Sequence, residues 1–259
     1  MRDLLKKLAE KYEDYRAGRG YTCDCCGREI FTYPQPRLCE DCLSRIPVIT
    51  RRCPKCGRAA PTESVCLECK ARMPLFHFAI SAFSYEDKAA GLINRMKNGE
   101  KYLSYFFAEA LAPLLETSLE KEGIPKSECI FTCVPDRKKD RVFKSGRRYN
   151  PAAVLAEKTC ALLCVAPDGD IMVKSRETKP QKRMSAKERF ENVRGAYRVH
   201  KRSACADKTI VVFDDILTTG ATGSECARIL LAAGAKRVIF VSAVSVAEKT
   251  TFPRFAQEE

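Results

Sequence analysis

Four stretches of this chain are apolar almost without interruption: Phe78–Tyr85 (FAISAFSY), Ile130–Val134 (IFTCV), Thr209–Phe213 (TIVVF) and Val238–Val246 (VIFVSAVSV). Runs this short and this rich in β-branched residues read as buried strands. Between them the period becomes helical. Lys88–Lys97 and Tyr102–Lys121 read as helices, another begins near Pro151 (PAAVLAEKTCALLCV), and Ala227, Leu230 and Leu231 form an apolar stripe. Ile171–Lys174 is a candidate short strand. Strands alternating with helices predict an α/β fold with a doubly wound parallel sheet, where ligands bind at the carboxyl ends of strands. Near the start of the chain, Leu4, Leu5, Leu8 and Tyr12 follow helical spacing in a charged segment and predict a docking helix.

No apolar run approaches the roughly 20 residues of a membrane-spanning helix. The first residues, MRDLLKKLAEKYEDY, have neither a continuous apolar core nor a small-residue cleavage site. A cytoplasmic protein is therefore expected. Fifteen cysteines in such a chain argue for metal rather than disulfides. Eight of them pair as C-x-x-C: Cys23/Cys26, Cys39/Cys42, Cys53/Cys56 and Cys66/Cys69. The first and third pairs each run into Gly-Arg, so the segment is an internal repeat. Four thiolates per site suit a structural Zn2+ with no open position. The expected sets are Cys23, Cys26, Cys39, Cys42 and Cys53, Cys56, Cys66, Cys69. The spacing leaves an interleaved pairing open, leaves Cys25 spare, and keeps iron–sulfur ligation as the alternative metal chemistry. Cys129, Cys133, Cys160, Cys164, Cys205 and Cys226 sit in apolar contexts and read as core. The expected organisation is an N-terminal helix over 1–20, a double zinc ribbon over 21–73 and one larger domain over 74–259.

The chemistry concentrates after the third apolar run. Asp214 and Asp215 are followed by Thr218-Thr219-Gly220-Ala221-Thr222, and then by the helical stripe ending near Gly234. Thr222 and Glu225 have the spacing of a capping box. A small-residue turn at a helix N-terminus offers backbone N–H groups to an anion. Ionised Asp214 and Asp215 only accept, so they suit sugar hydroxyls or the water shell of Mg2+. Phosphate, diol and metal together describe a phosphorylated ribose. The stretch resembles the loop of type I phosphoribosyltransferases that binds phosphoribosyl pyrophosphate (PRPP). The resemblance implies that the paired acids hold the ribose hydroxyls and that Thr218–Thr222 cradle the 5′-phosphate.

The formal net charge is +13. It is concentrated: Asp136–Arg148 and Lys174–Arg189 each carry seven Lys/Arg against two acids. Such runs mark a polyanion partner, whether pyrophosphate, nucleotide or nucleic acid. Arg137, Lys138, Arg147, Arg148, Arg176 and Arg189 are the candidates. Aromatics beside these charges are few: Phe143, Tyr149, Phe190 and Tyr197.

Taken together, the chain from Cys23 to Val246 is similar to the ComF family, in which a cysteine-rich ribbon precedes a phosphoribosyltransferase domain. That family has a Val-Pro strand end followed by R-G-F-N-Q. Here Val134-Pro135 leads to Arg147-Arg148-Tyr149-Asn150-Pro151, with Arg148 in place of Gly and Pro151 in place of Gln. A second family segment is matched by Arg176, Thr178, Gln181, Arg189, Asn192, Val193, Gly195, Ala196 and Tyr197. The resemblance implies a role in natural competence: handling single-stranded DNA, with DNA-uptake proteins as partners. Relatives acting on 6-oxopurines place an acid where Thr218 stands, and neither His77 nor His200 is positioned to replace it. Three functions follow: a protein binding PRPP, Mg2+ and single-stranded DNA; an active phosphoribosyltransferase on a small acceptor; and a non-catalytic sensor of PRPP or nucleotides.

Overall fold

The structure is a computed structural model that describes residues 22–31, 36–136, 149–179 and 184–247. The expected N-terminal helix therefore lies outside the described residues, as do Arg137, Lys138, Phe143, Arg147, Arg148 and Gln181.

The four apolar runs are strands of one parallel sheet: β1 (Phe78–Ser84), β2 (Cys129–Cys133), β5 (Thr209–Leu217) and β6 (Arg237–Ser245), in the order β1-β6-β5-β2. Alternation of side chains gives each strand two buried faces. Val211, Phe213, Ile239 and Val241 join the core formed with α3 (Asp87–Asn98), α4 (Ser104–Lys121) and α5 (Pro151–Leu162). Ile210, Val212, Val238 and Phe240 face the other side, against Ala227 and Leu230 of α8 (Ala221–Leu231) and against Phe76. The sheet is thus covered on both faces, as the strand–helix alternation predicts. Phe76 stacks on Phe240 at 5.8 Å between ring centroids.

Two short strands stand apart, and the short helix α7 (Arg202–Cys205) follows them in the chain. β3 (Met172–Lys174) is where a short strand is expected, but it pairs antiparallel with β4 (Tyr197–Val199), which the apolar pattern does not announce. Between them, within the second basic run, α6 (Ala186–Val193) carries a true capping box: Ser185 Oγ accepts from the Glu188 N–H, and the Glu188 carboxylate accepts from the Ser185 N–H. The capping box expected at Thr222/Glu225 does not form. α8 begins two residues earlier, with Gly220 at the N-cap in the left-handed region (φ 75°) and no side-chain cap. Leu231 is exposed rather than part of the stripe, because the buried face runs through Cys226, Ala227, Ile229 and Leu230. Of the six cysteines read as core, Cys133, Cys160, Cys205 and Cys226 are buried, Cys129 is half-buried, and Cys164 is exposed at a positive-φ turn.

The cysteine-rich part is built twice on one plan. Cys23 N–H donates to Arg28 O and Gly27 N–H to Cys23 O; Cys53 N–H donates to Arg58 O and Gly57 N–H to Cys53 O. Cys39 and Cys66 then occupy the N-caps of α1 (Glu40–Leu43) and α2 (Leu67–Ala71) with the same extended backbone. The link between the two halves lies along the free side of β1. Ile49 N–H donates to Ala82 O, Ser84 N–H to Pro47 O and Ala79 N–H to Lys55 O. Gly57 packs so closely here that a Cβ would collide with the Ala79 carbonyl.

Candidate functional site

The sheet register opens the site. β2 stops accompanying β5 at Cys133↔Phe213, with one more bond from Val134 N–H to Phe213 O. β5 continues beside β6 as far as Leu217↔Ser245. The strand is therefore longer than its apolar run, and Asp214 and Asp215 lie within it. Their edge no longer has a β2 neighbour, so the acids face a notch at the carboxyl ends of the strands.

At the notch, Asp215 N–H donates to Asp214 Oδ1 at 2.9 Å. Lys97, from the last turn of α3, places Nζ 2.9 Å from Asp215 Oδ2. Burial and the neighbouring Asp215 charge push Asp214 well above the usual carboxylate range, against the pull of the Asp215 N–H and of Lys97. Asp136, just past β2, adds a third negative charge that bears on Asp214. Burial pushes the Tyr197 hydroxyl up as well. Lys97 and Asp136 are site residues that sequence reading does not single out. Lys97 carries no local signature, whereas Asp136 follows directly on the Val134-Pro135 strand end.

The Thr218–Thr222 turn closes onto α8. Gly220 supplies the positive φ that aims the chain into the helix, and Ser224 N–H donates back to Gly220 O. Thr219 Oγ1 accepts from Ala221 N–H at 3.4 Å. Beneath the turn, a Cβ on Gly223 would meet Phe240 and Phe76 at 3.0–3.1 Å. Thr218, Thr219 and Thr222 remain partly exposed above this packing.

The residues flanking the site act mainly as braces. Asn150 caps α5 by accepting from Ala152 N–H, and its amide donates to Val134 O at 2.8 Å. Pro151 fills the first helical position, where a missing N–H costs nothing. The departure from the family's Gln at 151 is therefore compatible with the helix start. Arg176 donates to the carbonyls of Glu177, Asn192 and Arg194, and Arg189 Nε to Met184 O. Asn192 exchanges two hydrogen bonds with the Lys179 backbone. Gly195 N–H donates to Glu225 Oε1 at 2.8 Å and so ties this flap to α8. Burial opposes the Glu225 charge, but Arg228 and that N–H outweigh it and hold the carboxyl below its ordinary value. His77 meets Glu122 at 3.2 Å and His200 the Asp170 carbonyl, both away from the notch.

A groove of about 510 Å3 runs from Ala221 and Ser224 between α6, α8 and the Arg72–Leu75 segment. Arg72 lies over the Phe190 ring at 3.7 Å, and Lys187, Arg194 and Arg228 line the same groove.

In the cysteine-rich part the four Sγ atoms of Cys23, Cys26, Cys39, Cys42 lie within 4.8 Å of one another, as do those of Cys53, Cys56, Cys66, Cys69. The sequential sets, not an interleaved arrangement, are the ones brought together. Sγ separations of 3.8 Å (Cys26–Cys39) and 3.6 Å (Cys56–Cys66) match the edge of about 3.8 Å of a tetrahedron with Zn–S arms of about 2.3 Å. Both sets fit zinc. Among the described residues no helix is long and apolar enough to cross a membrane.

Residues 151–257 match the model of the phosphoribosyl transferase domain. Curated relatives span most of the chain. "DNA utilization protein YhgH" of Salmonella typhi is 27% identical over 206 residues, 78% of this chain and 87% of its own. "Competence protein ComFC" of Bacillus subtilis is 24% identical over 224 residues, 83% of this chain and 86% of its own. "Competence protein F" of Haemophilus influenzae is 22% identical over 219 residues, with the same coverage. With a parallel sheet ending in an acidic notch and a glycine turn, and two four-cysteine clusters ahead of it, the chain is similar to these competence and DNA utilization proteins, and its residues 151–257 are similar to the phosphoribosyl transferase domain.

Proposed function

We propose that this protein binds PRPP with Mg2+ at the notch and single-stranded DNA beside it, and serves the handling of incoming DNA. The observation that carries the first part is the Asp214-Asp215 pair at an open strand end, one turn before the Gly220 helix cap. Asp214 and Asp215 would hold the ribose hydroxyls and the hydrated cation, and the N–H groups and hydroxyls of Thr218–Thr222 the 5′-phosphate. The cation would screen the pyrophosphate charge, aided by the basic runs.

The groove supports the nucleic-acid part. It sets a guanidinium–phenyl stack beside Lys187 and Arg194, with Glu191 and the Arg228–Glu225 pair also in the lining, and the ring and the cations would supply base stacking and backbone contact. The names of the relatives, a DNA utilization protein and two competence proteins, point the same way. Turnover is the second reading. Lys97 beside Asp215 favours it, because a cation at the acidic pair would steady charge redistribution as pyrophosphate leaves. Against nucleobase transfer stands Thr218, which offers no base.

Calorimetric titration of the zinc-loaded protein with Mg2+-PRPP tests the reading. Binding is expected in the native chain and lost in Asp214→Asn/Asp215→Asn. A native chain that gives no heat with PRPP removes the ribose-phosphate function and leaves the nucleic-acid groove to account for the protein.

A further inference from the structure

The Gly-Arg that follows the first and third cysteine pairs has two different fates. Arg28 is exposed and pairs with Asp41 in its own ribbon. Arg58, at the equivalent position of the second ribbon, is 3% exposed. Its Nε donates to Cys56 Sγ at 3.1 Å, Nη1 meets Glu68 at 3.0 Å, and Nη2 donates to the carbonyl of Thr218 at 2.8 Å. One planar, rigid group thus touches a cysteine of the second four-cysteine set, the short helix that begins between two more of them, and the first residue of the phosphate-sized turn. Arg58 and Thr218 are 160 residues apart in sequence.

A buried guanidinium is costly unless its charge and donors are matched. Here the matching anions are Glu68 and the Cys56 thiolate, which carries full charge when it serves as a metal ligand. Groups that hydrogen-bond a ligating atom orient it and tune the metal's hold. The remaining donor restrains the Thr218 carbonyl two residues before Gly220, where backbone direction decides whether the turn's N–H groups converge. Lys55 of the same ribbon reinforces the junction by donating to the carbonyls of Phe76 and His77.

We propose that Arg58 is a positioning residue that couples the second four-cysteine metal site to the phosphate turn, so that metal retention and PRPP affinity rise and fall together. The PRPP half rests on the function proposed above; the coupling of metal site to turn does not. Linkage makes the effect reciprocal: a ligand on the turn strengthens retention at the second cluster by the same factor that the metal strengthens the ligand. The first cluster, whose Arg28 stays within its own ribbon, takes no part.

The test compares the native protein with Arg58→Met, Arg58→Lys and, as control, Arg28→Met, all zinc-loaded. Amide exchange over residues 217–223 is followed without ligand, and zinc release to a chromophoric chelator is followed with and without Mg2+-PRPP. Arg58→Met is expected to speed exchange over 217–223 about tenfold and to abolish protection of one of the two zinc ions by PRPP. Arg58→Lys, with its charge kept but its fork lost, should fall between, and it decides the matter if Arg58→Met does not fold by circular dichroism. Arg28→Met should match the native chain in both readouts. Native-like exchange over 217–223 in both Arg58 variants overturns the coupling. Failure of the native chain to bind PRPP instead removes the ligand reading, and the exchange measurement still decides the coupling.

Discussion

The carboxyl of Asp214 sits where burial, Asp215 and Asp136 all oppose its charge, and Lys97 and one backbone N–H offset only part of that. A carboxyl raised in the folded state binds more protons there than in the unfolded chain. Stability therefore falls as pH rises from the ordinary carboxylate range through the raised value. The cost is complete on the alkaline side and absent at low pH. Asp214→Asn is expected to raise the melting temperature at pH 8, with the gain shrinking toward pH 4. Calorimetric scans across that range check it; a gain independent of pH would mean that the charge is not what is strained. Such a cost is in keeping with the Mg2+ and PRPP binding proposed above, in which a cation or hydroxyl donors would offset it. The acid pair and the turn are legible in the sequence because they follow one another without a gap. Lys97 and Asp136 are not, since they reach the notch from other elements, and only the sheet order brings those together.

The elements repeat this contrast between local and distant causes. The four core strands show as apolar runs because both faces are buried, which leaves no polar alternation to blur them. β4 does not show, having three residues and a partner distant in sequence at Met172↔Val199, Val173↔Arg198 and Lys174↔Tyr197. The start of α8 departs from the capping spacing for a physical reason. Glu225 stands where a capping partner would, but its carboxylate is taken by Arg228 and Gly195, while Gly220 ends the turn through backbone freedom alone. The start of α5 relies on Asn150, which both caps the helix and ties it to Val134 at the end of β2. Asn150→Ala should cost about 1–3 kcal/mol, from a lost cap and an unpaired buried carbonyl. Denaturant midpoints check this; a change within about 0.5 kcal/mol would show that neither bond matters.

At the scale of the whole molecule, Arg72, Lys187, Arg194 and Arg228 gather along one groove, together with Glu191 and Glu225. The function proposed above places a phosphate backbone on these cations and a base on the Phe190 ring. Binding of oligo-dT followed by fluorescence anisotropy should weaken steeply with salt. Phe190→Ala should lower affinity about tenfold or more with the salt slope kept, because stacking is worth roughly 1–3 kcal/mol per base. Arg194→Ala should instead reduce the slope by about one. Oligo-dT affinity unchanged in both variants would move the nucleic acid elsewhere on the surface.

The backbone of residues 47–55 lies along the outer side of β1 and satisfies it through Ile49, Pro47 and Lys55. Its place there depends on two small ribbons, each assembled around four thiols. An unpaired strand that is apolar from end to end is a template for adding another chain. Stripping metal from the two clusters with a chelator is thus expected to bare that edge and promote self-association, which light scattering checks; scattering unchanged by the chelator would show that the edge stays covered without metal.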